Sequence, residues 1–328
     1  MATALQILHD SISFIFSHLL IINVLLSIVV VFFQRRNPKS VWAWLLILYF
    51  IPVLGFVFYL LIGADMHKRK MFRTKEIEDR LANAIRRQEL MIRSQELKQK
   101  YPGVTDYSDL VMYHLHTASA ILSDDNDVEF FVNGEDKFAA LKEDMRNAKK
   151  SIHIQYYIIK NDELFRSIVE ILKEKVKEGV KVRILYDSMG CWKMRKKIWK
   201  QLEKEGIQCT EFFPALVGRL HLRINYRNHR KIVVIDDCIG YVGGFNIGKE
   251  YIDKDPKFGH WRDTHMRITG SSVTALEARF ILDWNFADRK RLLSYEDYMD
   301  NLKMEHTGRS PIPVSYTHLR AHETSAHL

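Results

Sequence analysis

The sequence has little cysteine, and what it has fits neither a disulfide framework nor a zinc site. Its three cysteines (Cys191, Cys209 and Cys238) are odd in number and far apart, whereas disulfide scaffolds use even sets and zinc sites use closely spaced ligands. Glycine and proline are also sparse, at 15 and 7 of 328 residues, which excludes a long disordered tract. We therefore expect a folded protein with buried free thiols, in a reducing compartment, and no metal site.

Acidic residues are outnumbered by basic ones. The chain has 40 Asp and Glu against 49 Lys and Arg, which leaves a formal charge of +9. Basic proteins of this kind bind phosphate-bearing partners, either nucleic acid or anionic lipid. Composition does not separate these two partners, so the choice depends on where the apolar residues lie.

Two long apolar runs lie at the amino terminus, at residues 12–33 and 41–62, and the second contains no charged residue. At about 1.5 Å of rise per residue, each would form a helix about 33 Å long, enough to cross a hydrocarbon core of about 30 Å. Trp42, Trp44 and Tyr59 lie near the ends of the second run, as interfacial aromatics do. The sequence thus predicts two transmembrane helices within residues 1–64.

The charges around these runs predict their topology. No Lys or Arg precedes Ile12, so the first run lacks the basic start of a cleaved signal peptide. The linker 34–40 is long enough only for the turn of a helical hairpin, which leaves both ends of the hairpin on one side of the bilayer. Three basic residues lie in this linker and five in residues 68–75, which favours a cytoplasmic position for the rest of the chain.

The rest of the chain alternates between helical and strand patterns. Charged residues with spaced apolar ones over 65–122 predict a helical connector. Within residues 123–310, short apolar runs predict strands at 128–132, 151–159, 180–186, 207–213, 231–235, 239–242 and 266–268. Amphipathic stretches predict helices at 135–150, 162–178, 192–205 and 272–288, with helix stops at Gly179 and Gly206. This alternation predicts an α/β layer sandwich.

His229 and Lys231 are the strongest candidates for chemistry. They lie two residues apart at the start of the strand predicted at 231–235, and residues two apart in an extended chain point to the same face. A neutral imidazole beside an ammonium makes a phosphate site with a nucleophile built in. The histidine can attack phosphorus, and the lysine neutralises the non-bridging oxygens as charge develops.

The residues after this pair extend the pattern. Asp236 ends the strand, Gly243 and Gly244 let the backbone approach a bound group, and Asn246 can donate its amide to the same phosphate. Each piece alone is weak. Together, His-x-Lys, four residues, Asp and then Gly-Gly-x-Asn match the His-Lys-Asp motif of the phospholipase D superfamily, which the chain resembles.

The flanking sequence resembles the bacterial cardiolipin synthases in particular. These share a two-span amino-terminal hairpin with a short basic linker, followed by Arg-Asn-His-Arg-Lys, here at 227–231. The runs at 243–251 and 259–265 and the Asp283-Trp284 pair also fit. The resemblance covers residues 12–289 and implies one α-β-α half of a phospholipase D-like sandwich, preceded by the transmembrane hairpin, at the bacterial cell membrane.

The resemblance also implies a reaction and roles for residues. In the family, a histidine takes a phosphatidyl group from one phosphatidylglycerol, releases glycerol, and passes the group to a second phosphatidylglycerol without a cofactor. Carried onto this sequence, His229 is the nucleophile or the acid/base partner, and Lys231 and Asn246 hold the phosphate. Asp236 is supportive, and Asp263 is the candidate that orients the histidine; a surface ion pair is the alternative for Asp263.

Three arginines upstream of the motif have two possible roles. Arg219, Arg223 and Arg227 either line the mouth of the site and bind anionic headgroups, or form the exposed side of a strand. Phosphatidylglycerol in an anionic membrane is the expected partner. Nucleic acid is not expected, because aromatic and basic residues do not interleave as in strand-binding grooves.

The sequence departs from the superfamily in one respect. The superfamily builds its active site from two His-Lys-Asp motifs, by internal duplication or by dimerisation, and only one His-x-Lys with this spacing occurs here. We therefore expect a truncated synthase, with residues 311–328 as a non-native or misassembled tail and a homodimer as one route to a complete site. A phospholipase that transfers to water and a catalytically incomplete lipid-binding protein are the alternatives.

Overall fold

The structure is a computed structural model. Apart from scattered residues between positions 6 and 92, it describes residues 38–51, 102–118, 120–213, 227–298 and 300–314. The chain divides into two compact units.

The first unit contains helix α1 (Pro38–Phe50), along which Leu48 is buried against Val41 and Trp44. Among the residues that the structure describes, no helix has both the length and the apolar character needed to cross a membrane. Helix α1 coincides with the first part of the predicted span 41–62. The rest of that span is described only at Ile51 and Gly55. Seven residues of the span 12–33 are described, at positions 18, 21, 23–25, 27 and 28, and all seven are helical.

The second unit contains the remaining described elements. Its helices are α2 (Ser108–Ala118), α3 (Gly134–Asn147), α4 (Glu163–Lys177), α5 (Lys196–Lys204) and α6 (Ser272–Ala287). Its strands are β1 (Leu122–Phe131), β2 (Ser151–Tyr156), β3 (Lys181–Asp187), β4 (Gln208–Phe212), β5 (Ile232–Ile235), β6 (Ile239–Gly243), β7 (His265–Thr269) and β8 (Ser310–Pro313). Strand β8 pairs with β1, although the sequence predicts a tail from residue 311.

The described strands form one sheet in the order β4-β3-β2-β5-β6-β7-β1-β8. Strands β2, β3 and β4 are parallel, and the other neighbouring pairs are antiparallel. These directions bring the carboxyl ends of β1, β2, β3, β4 and β6 to the same edge as the amino ends of β5 and β7. We call this the site edge; it includes residues 157–162, 188–195, 227–231 and 244–264.

Helices cover both faces of the sheet. On β5, Val233 and Ile235 belong to the large core shared with α3, α4 and α5, whereas Ile232 and Val234 pack with Leu276 of α6. Side chains on one strand alternate between faces, so a strand buried on both sides needs a continuous apolar run. The α/β fold that the sequence predicts is confirmed, and its sheet is mixed.

The element boundaries follow local chemistry, and several differ from the sequence prediction: β1 begins at Leu122 rather than at 128, and β2 ends at Tyr156 rather than at 159. Helices α4 and α5 end before Gly179 and Gly206, which have φ values of +91° and +88° and complete left-handed helix caps. The predicted helix start at residue 192 is wrong, because residues 191–193 form a turn, residue 194 a bend, and α5 starts only at Lys196. Helix α2 ends at Ala118, whereas the sequence predicts helix up to residue 122. Leu122 instead begins β1, and its backbone N–H and C=O groups both form hydrogen bonds with the Gln88 side chain.

Candidate active site

His229 and Lys231 lie side by side at the site edge. The Lys231 Nζ atom is 3.0 Å from each ring nitrogen of His229 and donates a hydrogen bond of 2.8 Å to the His229 carbonyl oxygen. The Tyr157 ring lies beside the pair, with its centroid 4.7 Å from that of His229 and 5.6 Å from Nζ. A phosphate group placed against the two basic side chains would contact both.

Burial determines the protonation of both groups. Lys231 is buried, which lowers its pKa from 10.5 to about 7, while the carboxylates of Asp263 and Asp187 oppose this shift. Burial and the charge of Lys231 together lower the pKa of His229 to about 4. His229 is therefore neutral at physiological pH, and its ring keeps the lone pair that a nucleophile requires.

The segment that carries His229 is anchored to the end of β3 by Asp187. One Asp187 oxygen accepts the N–H of Asn228 at 2.9 Å, and the other accepts the N–H groups of Met189 and Gly190 at 2.9 and 3.1 Å. Burial raises the pKa of this carboxyl, and the three hydrogen bonds oppose that rise. Asp187 thereby fixes the backbone directly before the histidine.

A second anchor comes from Asp283 on α6, whose side chain is completely buried. Its Oδ2 atom accepts hydrogen bonds from Arg230 (2.7 Å), Gln155 (2.7 Å) and Asn228 (3.2 Å), and its Oδ1 atom accepts one from Arg279 (2.9 Å). The residues on both sides of His229 are thus tied through one carboxylate to α6. Buried charges are stable in a protein when they are paired in this way.

Asn246 lies buried at the start of the loop after β6. Its Oδ1 atom accepts the N–H of Ile158 at 3.0 Å, and its Nδ2 atom donates to the Tyr251 hydroxyl at 2.9 Å. A primary amide has two N–H donors. The second N–H of Asn246 can therefore donate to a phosphate oxygen. The two hydrogen bonds to Ile158 and Tyr251 hold the amide in place.

The two glycines of the motif make room for neighbouring protein atoms. A Cβ atom on Gly244 would lie 2.0 Å from Asp263 Oδ1, and one on Gly243 would lie 2.4 Å from the His265 Cα atom. Asp263 therefore packs against the site edge, where it raises the pKa of Lys231. No hydrogen bond joins Asp263 to His229 in the described part of the structure, so its orienting role stays a prediction.

Asp236 lies at the opposite end of β5 from His229. Its backbone is in the left-handed region, with φ +52°. Its carboxylate accepts three backbone N–H groups, from Lys149 and Lys150 at 2.7 Å each and from Ser151 at 2.9 Å. These contacts hold the start of β2, at the end of β5 away from His229. The supportive role that the family resemblance implies for Asp236 stays a prediction.

Replacing Asp236 by asparagine is expected to lower the free energy of unfolding by about 1–3 kcal/mol, because an amide NH2 would face backbone donors. Asparagine tolerates a left-handed backbone, so the substitution adds no strain. Urea unfolding measures the difference, with the exposed Asp297→Asn as the control. Lost catalysis at unchanged stability would contradict this structural role.

The three arginines expected at the mouth of the site are described only in part. Arg219 and Arg223 lie outside the described residues. Arg227 is half-buried close to Asp187 and Tyr157, whose charges oppose the lowering of its pKa by burial. Its Nη2 atom is buried without a hydrogen-bond partner in the described structure. Binding of headgroups by Arg227 remains a prediction.

Two residues of the site had weak signals in the sequence. Apart from the family resemblance of the Asp283-Trp284 pair, Asp283 stands out only as a carboxylate on the apolar side of a helix. Tyr251, which orients Asn246, is one of many tyrosines in the chain. An acidic residue among buried helix positions is the pattern that points to a charge partner elsewhere.

The paired His229 and Lys231 lie within residues 227–231, which fall inside the segment that matches a known family model. Residues 141–259 match the family model for the phospholipase D-like domain of cardiolipin synthase, and residues 21–63 match the model for the phospholipase D-nuclease N-terminal region. The chain therefore contains a phospholipase D-like domain of the cardiolipin synthase family.

Similar curated proteins agree with this assignment. The major cardiolipin synthase ClsA of Bacillus subtilis is 43% identical over 287 residues, which are 86% of this chain and 59% of the relative. A cardiolipin synthase of Oceanobacillus iheyensis is 41% identical over 88% of this chain and 60% of its own length. The chain thus spans about 60% of the length of these relatives. The solved phosphatidylserine synthase of Haemophilus influenzae aligns with a TM-score of 0.42 at 16% identity, over 64% of this chain and 51% of that one.

Proposed function

We propose that this chain belongs to a membrane-attached enzyme that transfers a phosphatidyl group from one phosphatidylglycerol to another, forming cardiolipin and releasing glycerol. The observation that carries the proposal is the neutral His229 imidazole held against Lys231 in a buried, anchored segment. The similarity to cardiolipin synthases supports the choice of substrate.

In the first step, a His229 ring nitrogen attacks the phosphorus of phosphatidylglycerol. The bond from phosphorus to the headgroup glycerol oxygen breaks, and that oxygen leaves as glycerol after taking a proton from an acid. Lys231 and the remaining N–H of Asn246 balance the charge on the non-bridging oxygens as the nitrogen–phosphorus bond forms.

In the second step, a glycerol hydroxyl of a second phosphatidylglycerol attacks the phosphohistidine. The nitrogen–phosphorus bond breaks, the hydroxyl proton passes to a base, and His229 returns to its neutral form with cardiolipin as the product. Water in place of this hydroxyl would give phosphatidic acid. Acceptor choice therefore separates the synthase from a phospholipase.

A second imidazole is required as the acid of the first step and the base of the second. This sequence has one motif of the His-x-Lys type with its Asp and Gly-Gly-x-Asn. We infer that His229 of a second copy of this chain supplies the second imidazole, so that a homodimer forms the complete site. The specific activity of a dilute preparation should then rise with chain concentration.

The proposed setting is the cytoplasmic face of a bacterial cell membrane. Residues 12–33 and 41–62 are the proposed membrane spans, because each apolar run is long enough to cross a hydrocarbon core as a helix. Five basic residues at 68–75 against three at 34–40 favour the cytoplasmic side.

The test is product formation from phosphatidylglycerol labelled in its acyl chains and in its headgroup glycerol. The full chain and its His229→Ala variant are compared in mixed micelles of detergent and phosphatidylglycerol. Cardiolipin and free glycerol from the unmodified chain alone are the expected result. Phosphatidic acid instead would establish the hydrolase, and no product from either chain would overturn catalysis by this chain.

A further inference from the structure

Two large aromatic side chains point into solvent at the site edge. Trp192, in the loop after β3, is 57% exposed, and Phe258, in the loop after β6, is 47% exposed. The sheet topology places both loops at the edge that carries His229. Covering such a ring with another apolar surface is favourable, because it removes apolar area from water.

Both rings are held outward by ordered loops. In the first loop the neighbouring Cys191 and Met194 are buried, and the Met194 N–H bonds the Cys191 carbonyl oxygen at 2.8 Å. In the second, Asp253 accepts the N–H of Trp261 at 2.7 Å and pairs with the His260 ring at 2.6 Å, which closes the turn around Phe258. The exposure of Trp192 and Phe258 is therefore built into these loops.

Cations surround both rings. Lys193 lies 5.4 Å from the Trp192 ring centroid, and Lys257 lies 5.6 Å from that of Phe258. The segment 188–197 contains four basic residues and no acidic one. Lys193, Arg195 and Lys197 are exposed and form no ion pair with any described residue. In the second loop, two acidic residues already form ion pairs with other lysines: Glu250 with Lys160 and Asp255 with Lys249.

We propose that Trp192 and Phe258, with Lys193, Arg195, Lys197 and Lys257, form a docking rim that inserts into the surface of an anionic lipid bilayer. Aromatic rings beside lysine and arginine are the combination that suits the headgroup region of such a membrane. The proposal rests on the proposed function and deepens it, because docking would hold the site edge against the layer that contains the substrate headgroups. A bilayer fits better than a protein, since uncompensated cations match anionic headgroups.

Quenching of Trp192 by brominated lipid tests the rim. The full chain and its Trp192→Phe variant are reconstituted in vesicles whose phosphatidylglycerol is brominated near the headgroup end of the acyl chains. The difference in emission between the two proteins is the emission of Trp192. If the ring is inserted at a shallow depth, brominated lipid should quench about half of this emission. Vesicles of brominated phosphatidylcholine alone should quench it much less.

Two matched variants control for position and charge. Met304 is 52% exposed and contacts Cys238, next to the β5–β6 turn at the opposite edge of the sheet; Met304→Trp in the Trp192→Phe background should escape quenching. Glutamine at Lys193, Arg195 and Lys197 should reduce the quenching of Trp192 at least twofold. Glutamine at the exposed Lys177, Lys200 and Lys204 should leave it unchanged.

The result that overturns the docking rim is emission from Trp192 that brominated lipid does not quench. If Trp192 is also shielded from the aqueous quencher acrylamide, a protein surface, including a second copy of this chain, covers the ring instead. Lipid contact is measured here without turnover. A chain that makes no cardiolipin but shows quenching would refute the proposed reaction and leave the rim intact.

Discussion

Replacement of Lys231 by methionine is expected to slow phosphatidyl transfer by about 10²–10³-fold, because the charge on the phosphate oxygens would lose its buried cation. The same change is expected to stabilise the fold. Burial lowers the pKa of Lys231 to about 7, which means that the folded protein holds this ammonium unfavourably, and methionine fills a similar volume without charge. Radiolabelled turnover and thermal unfolding of the two proteins measure both effects.

The direction of the pH effect follows from the same shift. Between about pH 7 and pH 10.5 the unfolded chain binds the Lys231 proton and the folded chain does not, so this group makes folding more favourable as pH rises. A bound phosphodiester makes the folded protein favour the protonated form of Lys231, because its negative charge stabilises the ammonium. The affinity of a soluble glycerophosphodiester should therefore be constant below about pH 7 and weaken up to about tenfold per pH unit above it.

Two controls distinguish the role of Lys231 from the general effect of removing a buried lysine. Lys137 is another fully buried lysine with a lowered pKa, and it donates to the Tyr156 hydroxyl at 2.7 Å. Lys137→Met should leave turnover within a few-fold. Lys231→Met should bind the phosphodiester weakly and without the pH dependence. Equal pH dependence in Lys231→Met and the unmodified chain would show that another group controls anion binding.

The sequence predicts the fold and the centre of the site because both depend on local patterns. Strands at 151–159 and 231–235 follow from apolar runs, and the structure places β2 and β5 there as antiparallel neighbours. His229 and Lys231 share a face because side chains alternate on an extended segment. The contact between His229 and Lys231 is therefore local and does not depend on residues far away in the sequence.

The parts that the sequence does not predict depend on contacts between distant residues. Asp187 binds Asn228 across 41 positions, and Asp283 binds the same residue across 55. The helix expected from residue 192 is wrong for a similar reason: the Cys191 side chain is drawn into the core beside the Ile159 N–H, at 3.2 Å, and this turns the chain before α5. Helical propensity yields to tertiary packing at such points.

The glycines illustrate the same limit. Sequence reasoning predicts that Gly243 and Gly244 admit a bound group, whereas the structure fills the space beside them with Asp263 and the start of β7. A motif read from sequence identifies which positions lack a side chain. It does not identify which atoms use the space, because those atoms come from another strand.

Replacement of Asp283 by alanine is expected to lower the free energy of unfolding by about 3–5 kcal/mol, the largest stability effect that we predict. The carboxylate is fully buried and accepts hydrogen bonds from Arg230, Arg279, Gln155 and Asn228. Two of these donors are guanidinium groups that are themselves 10% and 15% exposed. Without Asp283 both buried guanidinium groups would lose this buried counterion, which costs far more than the loss of an exposed ion pair.

The exposed pair of Glu143 and Arg146, joined at 3.1 Å, is the matched control, and Glu143→Ala should change stability by less than about 1 kcal/mol. Asp283→Asn keeps the size and one acceptor but removes the charge, so its loss of stability should fall between those of the two alanine variants. Because Arg230 and Asn228 flank His229, Asp283→Asn should also lower kcat more than it raises KM, as expected when a nucleophile is misplaced but substrate still binds. Equal stability losses in Asp283→Ala and Glu143→Ala would contradict the role of Asp283 as the anchor of the site.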